Sequence, residues 1–383
     1  MTVIMAVCRP NSAVSFILKK SIGSISSIAR IPRVHILGLG SIGTFTAHSL
    51  AEIPNRPPVT LLLHRKALLD SYCKNGNQIT LQTKEGNAIN HNGYDFEILR
   101  NGDWYTGTPK DSSMEVYSSP VTCEIEHLIV CVKTIQTVAA LQPLKQRITP
   151  KSTIMFLQNG SGVVEAVNKH LFSDPRTRPN YIMGVISHGV GLNAPFNVTH
   201  TGPAATSLGA VPREAPFDEA SSVRSYLLEN LPLVPRFNAT SYSFTDLFQI
   251  QLEKLAVNSY SNPLSALHDT KAGFVLTLHD IRRKLMSEIS AVIQSLPELQ
   301  GASEIAERFS VVRLEETVTN IIAKNTETTC SMVWDIRAGR ETEIGFINGY
   351  WSRRGRELGV PTPVNDDLVE QILERTKERK GLR

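Results

Sequence analysis

The stretch RVHILGLGSIGTFTAHSLAEI, residues 33–53, constrains this chain more than any other. A short apolar run meets Gly38-Leu39-Gly40-Ser41-Ile42-Gly43, and a helical pattern carrying Phe45, Ala47, Leu50 and Ile53 follows. Glycines in the order G-x-G-x-x-G between a strand and a helix have separate tasks: a tight turn, close approach of backbone to a pyrophosphate, and close packing of helix on strand. The helix start adds free N–H groups and positive potential. A strand–loop–helix unit that holds a dinucleotide is therefore expected.

Further apolar runs, VTLLLHRK, HLIVCVK and STIMFLQNG, are separated by segments suited to helices, so a mostly parallel, doubly wound sheet of the Rossmann type is expected. Residues 76–120, richer in Gly, Asn, Thr and Ser, suggest small antiparallel strands or loops. From Phe244 onward the periodicity is helical, which divides the chain into an N-terminal extension (1–32), an α/β dinucleotide-binding domain (33–243) and an all-α domain (244–383). GRELGVPTP reads as a helix end with Gly359 at its C-cap and a proline stop.

The second strand closes on His64, Arg65 and Lys66, where a carboxylate would be expected to hold the ribose 2'-hydroxyl of NAD. Two cations suit a 2'-phosphate instead, so NADP(H) is the expected cofactor. In QLEKLAVNSYSNPLSAL, Lys254, Asn258 and Asn262 recur every fourth residue and share one helical face. A lysine ammonium can protonate a ketone oxygen, and amides can orient a carboxylate or hydroxyl; spacing alone equally allows a solvated stripe. Pro263 is expected to bend or break that helix just after Asn262. His188, in SHG, is the rival acid by residue type. Ser331, Asp335, Arg337 and Glu343, taken alone, read as a charged loop between helices.

Composition excludes several classes. Among 383 residues, 40 basic side chains against 36 acidic give a net charge of +4 and no basic block, so a nucleic-acid partner is not expected. No window approaches the roughly 18 apolar residues of a membrane span. Cys8, Cys73, Cys123, Cys131 and Cys330 never form a C-x-x-C pair and favour neither a disulfide framework nor a zinc site; no metal is expected. The segment before Glu52 has no acid but carries Arg9, Lys19, Lys20 and Arg30 among serines, the composition of a mitochondrial transit peptide. A matrix location is expected, with the cytoplasm as the alternative.

Taken in order, ILGLGSIG, CVKT, LQNGSG, KLAVNSYSNPLSAL and Cys330-Ser331-Met332 followed by DIRAGRETEIGFINGYWSRRGRELGVPTPVN resemble the ketopantoate (2-dehydropantoate) 2-reductase family from about Arg33 to the C-terminal region. The resemblance implies a Rossmann-like domain, an all-helical domain and an active site in the cleft between them. It implies NADPH-dependent reduction of 2-dehydropantoate to (R)-pantoate, on the route to pantothenate and coenzyme A. By the same resemblance, Lys254 is the proton donor, and Asn258, Asn262, Ser331 and Asn159 contact substrate. The loop Gly38 to Gly43, Arg65, Lys133, Asn159 and Glu343 serve the cofactor. Apart from the resemblance, a homodimer is an admissible assembly. One departure stands out: the family often places Asn before Gly where this chain has Ala272-Gly273, which leaves the keto acid open. Reduction of another 2-keto acid, or a non-catalytic mitochondrial binding protein that keeps the fold, are the alternatives.

Overall fold

Every apolar run picked out above forms a strand. In the computed structural model, which describes residues 30–110, 113–213 and 225–381, Val34–Leu37 and Val59–Leu63 are buried along their whole length. Strands without a polar face belong inside a parallel sheet covered on both sides. Val34–Leu37 pairs in parallel with Val59–Leu63 on one side and with His127–Val130 on the other. Thr153–Phe156 and Asn180–Ile186 continue that side in parallel. Thr206–Ala210 then joins antiparallel, and Ala239–Ser241 closes the edge. The chain therefore reverses direction of travel across the sheet between Val34–Leu37 and His127–Val130, where α/β sheets of this kind open a crevice.

Residues 76–120 form strands, most of them paired antiparallel as one of the two expectations had it, but not all of them small or peripheral. Asp95–Arg100 is an inner strand of the ten-stranded sheet, parallel to Val59–Leu63, and antiparallel strands Asp103–Lys110 and Ser113–Pro120 extend that edge. The sequence conceals the inner strand because Glu97 interrupts its apolar run. Buried Glu97 is paired with buried Arg147, whose Nη1 and Nη2 donate to the two carboxylate oxygens at 2.6 and 3.0 Å.

Ile79–Thr83 and Ala88–His91 go elsewhere, joining Gly189–Ala194 and Asn197–Gly202 in a separate four-stranded sheet. Its apolar side, including Ile79, Leu81 and Val198, packs in one cluster with Phe45 and Leu50 of helix Ser41–Leu50. That helix is consequently buried from Gly43 to Leu50 and not amphipathic as its sequence suggests. Its threonines are satisfied locally, Thr46 Oγ1 donating to Ile42 O at 2.8 Å.

The C-terminal region is mostly helical, built around Phe244–Leu267. Ser243 caps it, its hydroxyl accepting from Asp246 N at 3.2 Å. Pro263 lies inside this helix, which continues to Leu267, and three side-chain hydrogen bonds explain why. Proline leaves the Ser259 carbonyl without its usual N–H donor, and the buried Asn348 Nδ2 donates to that carbonyl at 2.9 Å. Asn348 Nδ2 also donates to Asn365 Oδ1 at 3.1 Å, and Trp351 Nε1 donates to Ser259 Oγ at 2.8 Å. Helix Asn348–Leu358 ends on Gly359 in the left-handed region (φ 70°), as its sequence indicates, and Pro363–Gly381 follows. From Pro32 onward the sheet and helical layers belong to one compact unit.

No helix among the described residues is long and apolar enough to cross a membrane. The targeting segment expected from composition falls, through residue 29, outside the described residues, as do residues 214–224.

Candidate active site

Gly38 is at φ 97°, and a Cβ there would lie 2.4 Å from Val132 N. A Cβ on Gly43 would fall 1.8 Å from Gly38 O, so the first and third glycines are demanded by the fold itself. Gly40 differs: it is exposed, and a Cβ would meet nothing within 4 Å. The protein gives no reason for glycine at that position, whereas a phosphate group laid on the helix start does. Gly40 caps helix Ser41–Leu50 without a side-chain hydrogen bond, which leaves the first N–H groups of the helix to a ligand. The residues present therefore fit a dinucleotide.

Gly40, Ser41 and Ile42 open onto a cleft of about 1570 Å³ whose opposite wall is the helical region. Lys133 and Asn159 line it from the sheet side, and Lys254, Asn258, Asn262, Ser331 and Glu343 from the helical side. Gly38, Leu39 and Gly43 sit behind that surface as structural parts of the turn. Arg65 is off the lined surface too, exposed at the end of the second strand, its side chain without a hydrogen bond or ion pair among the described residues. Lys66, its neighbour, is already engaged with Asp70 Oδ1 at 2.8 Å, so Arg65 is the cation of the pair left for an anionic group.

Helix Phe244–Leu267 presents its polar stripe to the cleft, not to bulk solvent. Lys254 Nζ donates to the carbonyl of Ile186, the last residue of strand Asn180–Ile186. Burial pulls the ammonium down from the ordinary 10.5 to about 8, while the Glu343 carboxylate pushes it back up. Asn258 is half-buried and Asn262 buried, and neither amide makes a hydrogen bond among the described residues. A buried amide without a partner on a cleft wall has hydrogen-bonding capacity that only a ligand or water can use.

Glu343 bridges the two walls. Its Oε1 accepts from Thr134 N at 2.9 Å and from Thr134 Oγ1 at 3.1 Å. Burial raises its pKa, and the Thr134 bonds and the Lys133 charge oppose that rise. Lys133 itself is held by an ion pair with Asp335 and donates to Glu341 O at 3.2 Å, so its charge is committed across the cleft. Asp335 also accepts from Arg340 Nε at 3.1 Å. Sequence reading singled out Asp335 but gave it no role, and it missed Thr134 although the residue stands in CVKT. The segment read as a charged loop begins as a helix, Ser331–Arg337, with Ser331 exposed at its first position.

His188 lines the cleft but does not offer a proton. Its Nε2 faces Phe237 O at 3.0 Å and must carry hydrogen, while Nδ1 accepts from Ala204 N at 3.1 Å and faces His200 Nε2 at 3.0 Å. Burial lowers its pKa, so the ring is a neutral structural link.

Residues 34–213 match the family described as "Ketopantoate reductase PanE/ApbA", and residues 246–376 match its C-terminal part. The chain belongs to the ketopantoate reductase family. Relatives include a probable 2-dehydropantoate 2-reductase of Schizosaccharomyces pombe, 28% identical over 91% of this chain and 97% of that protein. A ketoisovalerate reductase of Gibberella fujikuroi is 27% identical over 83% of this chain and 77% of its own. In fold, this ketopantoate reductase family member is similar to D-mandelate dehydrogenase bound to NADH and anilino(oxo)acetate, with TM-score 0.68 at 19% identity, covering 91% of this chain and 99% of that one. A probable 2-dehydropantoate 2-reductase of Bacillus subtilis aligns with TM-score 0.59 at 24% identity, over 90% and 99% of the two chains. Family membership makes the chain an oxidoreductase acting on CH–OH groups with a nicotinamide cofactor.

Proposed function

We propose that this chain reduces 2-dehydropantoate to (R)-pantoate with NADPH, a step toward pantothenate and coenzyme A, in the mitochondrial matrix. The observation that carries the reading is the row Lys254, Asn258, Asn262 on the wall facing Gly40, with both amides unpartnered and one of them buried. The nicotinamide, when bound, supplies the hydride to C2. Lys254 holds the proton for the developing alkoxide, aimed by Ile186 O and kept charged by Glu343. Asn258, Asn262 and Ser331 supply donors for the carboxylate and hydroxyls of the substrate, and Asn159 lines the opposite wall. The loop Gly38 to Gly43 takes the pyrophosphate and the unpaired Arg65 the 2'-phosphate. The acid-free N-terminal composition supports the matrix location.

A second reading, reduction of a branched 2-keto acid without the terminal hydroxyl, is favoured by Ala272. This residue lines the cleft, is buried, and brings a methyl group where an amide would contact a hydroxyl. Initial rates of NADPH oxidation with 2-dehydropantoate and with ketoisovalerate test both readings. Lys254→Ala should lower kcat by about two to four orders of magnitude while NADPH still binds. Arg65→Ala should raise KM for NADPH and leave that for NADH unchanged. Protein that binds NADPH but turns over neither acid would sink both readings and favour a binding role.

A further inference from the structure

The residues of the cleft do not account for a second cluster at the far end of helix Ser41–Leu50. We propose that His48, Glu52 and His91 form a binding site for a divalent transition metal of the zinc class. Their ligating atoms all lie within 4.8 Å of one another. His48 Nδ1 is 3.5 Å from Glu52 Oε1, and His91 Nε2 is 4.0 Å from the same oxygen. Tetrahedral zinc with arms of about 2.0 Å separates its ligands by about 3.3 Å, so the two spacings to Glu52 need to contract by less than about 1 Å and the widest pair of the three by at most about 1.5 Å.

The protonation pattern points to a cation. His48 Nε2 faces the carbonyl of Ile89 at 3.2 Å, which only accepts, so the ring hydrogen sits on Nε2. Nδ1 of the neutral ring is then a bare lone pair, facing a carboxylate, on a side chain that is 0% exposed. Neither His48 Nδ1 nor His91 Nε2 has a hydrogen-bond partner. Nδ1 of His48 is thus in the form that binds metal. An imidazole whose other nitrogen donates to a backbone carbonyl is the usual outer arrangement of a metal-bound histidine. His91 is the more accessible ligand, 27% exposed at its side chain, and leaves an approach for the ion and for a water as fourth ligand.

Two cations stand nearby and moderate the affinity. Arg236 Nε donates to Glu52 Oε1 at 2.9 Å, and Arg56 reaches Gly93 O from beside Tyr94. Arg236 and both imidazoles face the same oxygen, Oε1, so an ion would share it with the guanidinium or bind through Oε2 after the carboxylate turns. A metal there would pin the end of the loop helix to strand Ala88–His91, a structural task separate from the reductase reading.

Untagged full-length protein, stripped with chelator and titrated with Co²⁺, tests the site through the visible absorption of tetrahedral cobalt. One equivalent should bind, Zn²⁺ should displace it, and His91→Ala and Glu52→Gln should each weaken Co²⁺ binding about a hundredfold or more. Using both variants guards against loss of fold in one. No visible band with wild-type protein, or a band unchanged in a folded variant, overturns the site and leaves the Arg236–Glu52 ion pair as the cluster's whole purpose.

Discussion

If Lys254 is the proton donor, desolvation gives its pH dependence a position that an ordinary lysine would not have. With its pKa at about 8, the ammonium fraction is about 0.9 at pH 7, one half at pH 8 and about 0.1 at pH 9. The charged form is the active one, so kcat/KM should fall about tenfold between pH 7 and pH 9. A lysine left at 10.5 would lose almost nothing over that interval. This ratio is the right quantity because it reports groups of the free enzyme, the state to which the geometry refers. Glu343→Gln removes the charge that holds the ammonium up, so the falling limb should move below 8 as well as lowering activity. The assay is NADPH absorbance at limiting keto acid from pH 6 to 10. A limb near 6.5 would transfer the role to a histidine, and a profile flat to pH 10 would refute the desolvation argument.

The glycine loop separates fold from ligand. Gly43→Ala should cost about 3 kcal/mol or more in denaturant unfolding, because its Cβ meets backbone at 1.8 Å. Gly40→Ala should leave stability within about 1 kcal/mol of wild type yet weaken NADPH binding about tenfold or more, measured by titration; equal effects of the two on stability would contradict the assignment. Asn348→Ala should destabilise by about 2–5 kcal/mol through the orphaned Ser259 carbonyl and the lost bond to Asn365. Pro263→Ala restores a backbone donor to that carbonyl, so Asn348→Ala should cost less in its background; strict additivity in the double-mutant cycle would show that the two are not coupled.

Local rules made much of this protein legible. The strand before Gly38 and the spacing of Gly38, Gly40 and Gly43 obey short-range sterics, and the four-residue rhythm of Lys254, Asn258 and Asn262 follows from helix geometry. Such features involve neighbours in sequence and need no knowledge of the rest of the chain. Misreadings arose where distant segments changed the local outcome. Asp95–Arg100 is an inner strand because Arg147, fifty residues on, neutralises Glu97. The helix passes through Pro263 because Asn348 replaces a missing donor, and Ser41–Leu50 is buried all round because a separate sheet covers it. The character of the cleft was likewise a tertiary matter. Lys254 meets Ile186, Glu343 meets Thr134 and Lys133 meets Asp335 only after the sheet and helical regions close on each other. Sequence determined which chemical groups this protein has and on which element each stands. Folding decided which of them leave water together, and since desolvation and pairing set a group's proton affinity, it also decided which are charged, which are neutral and which remain free for a ligand.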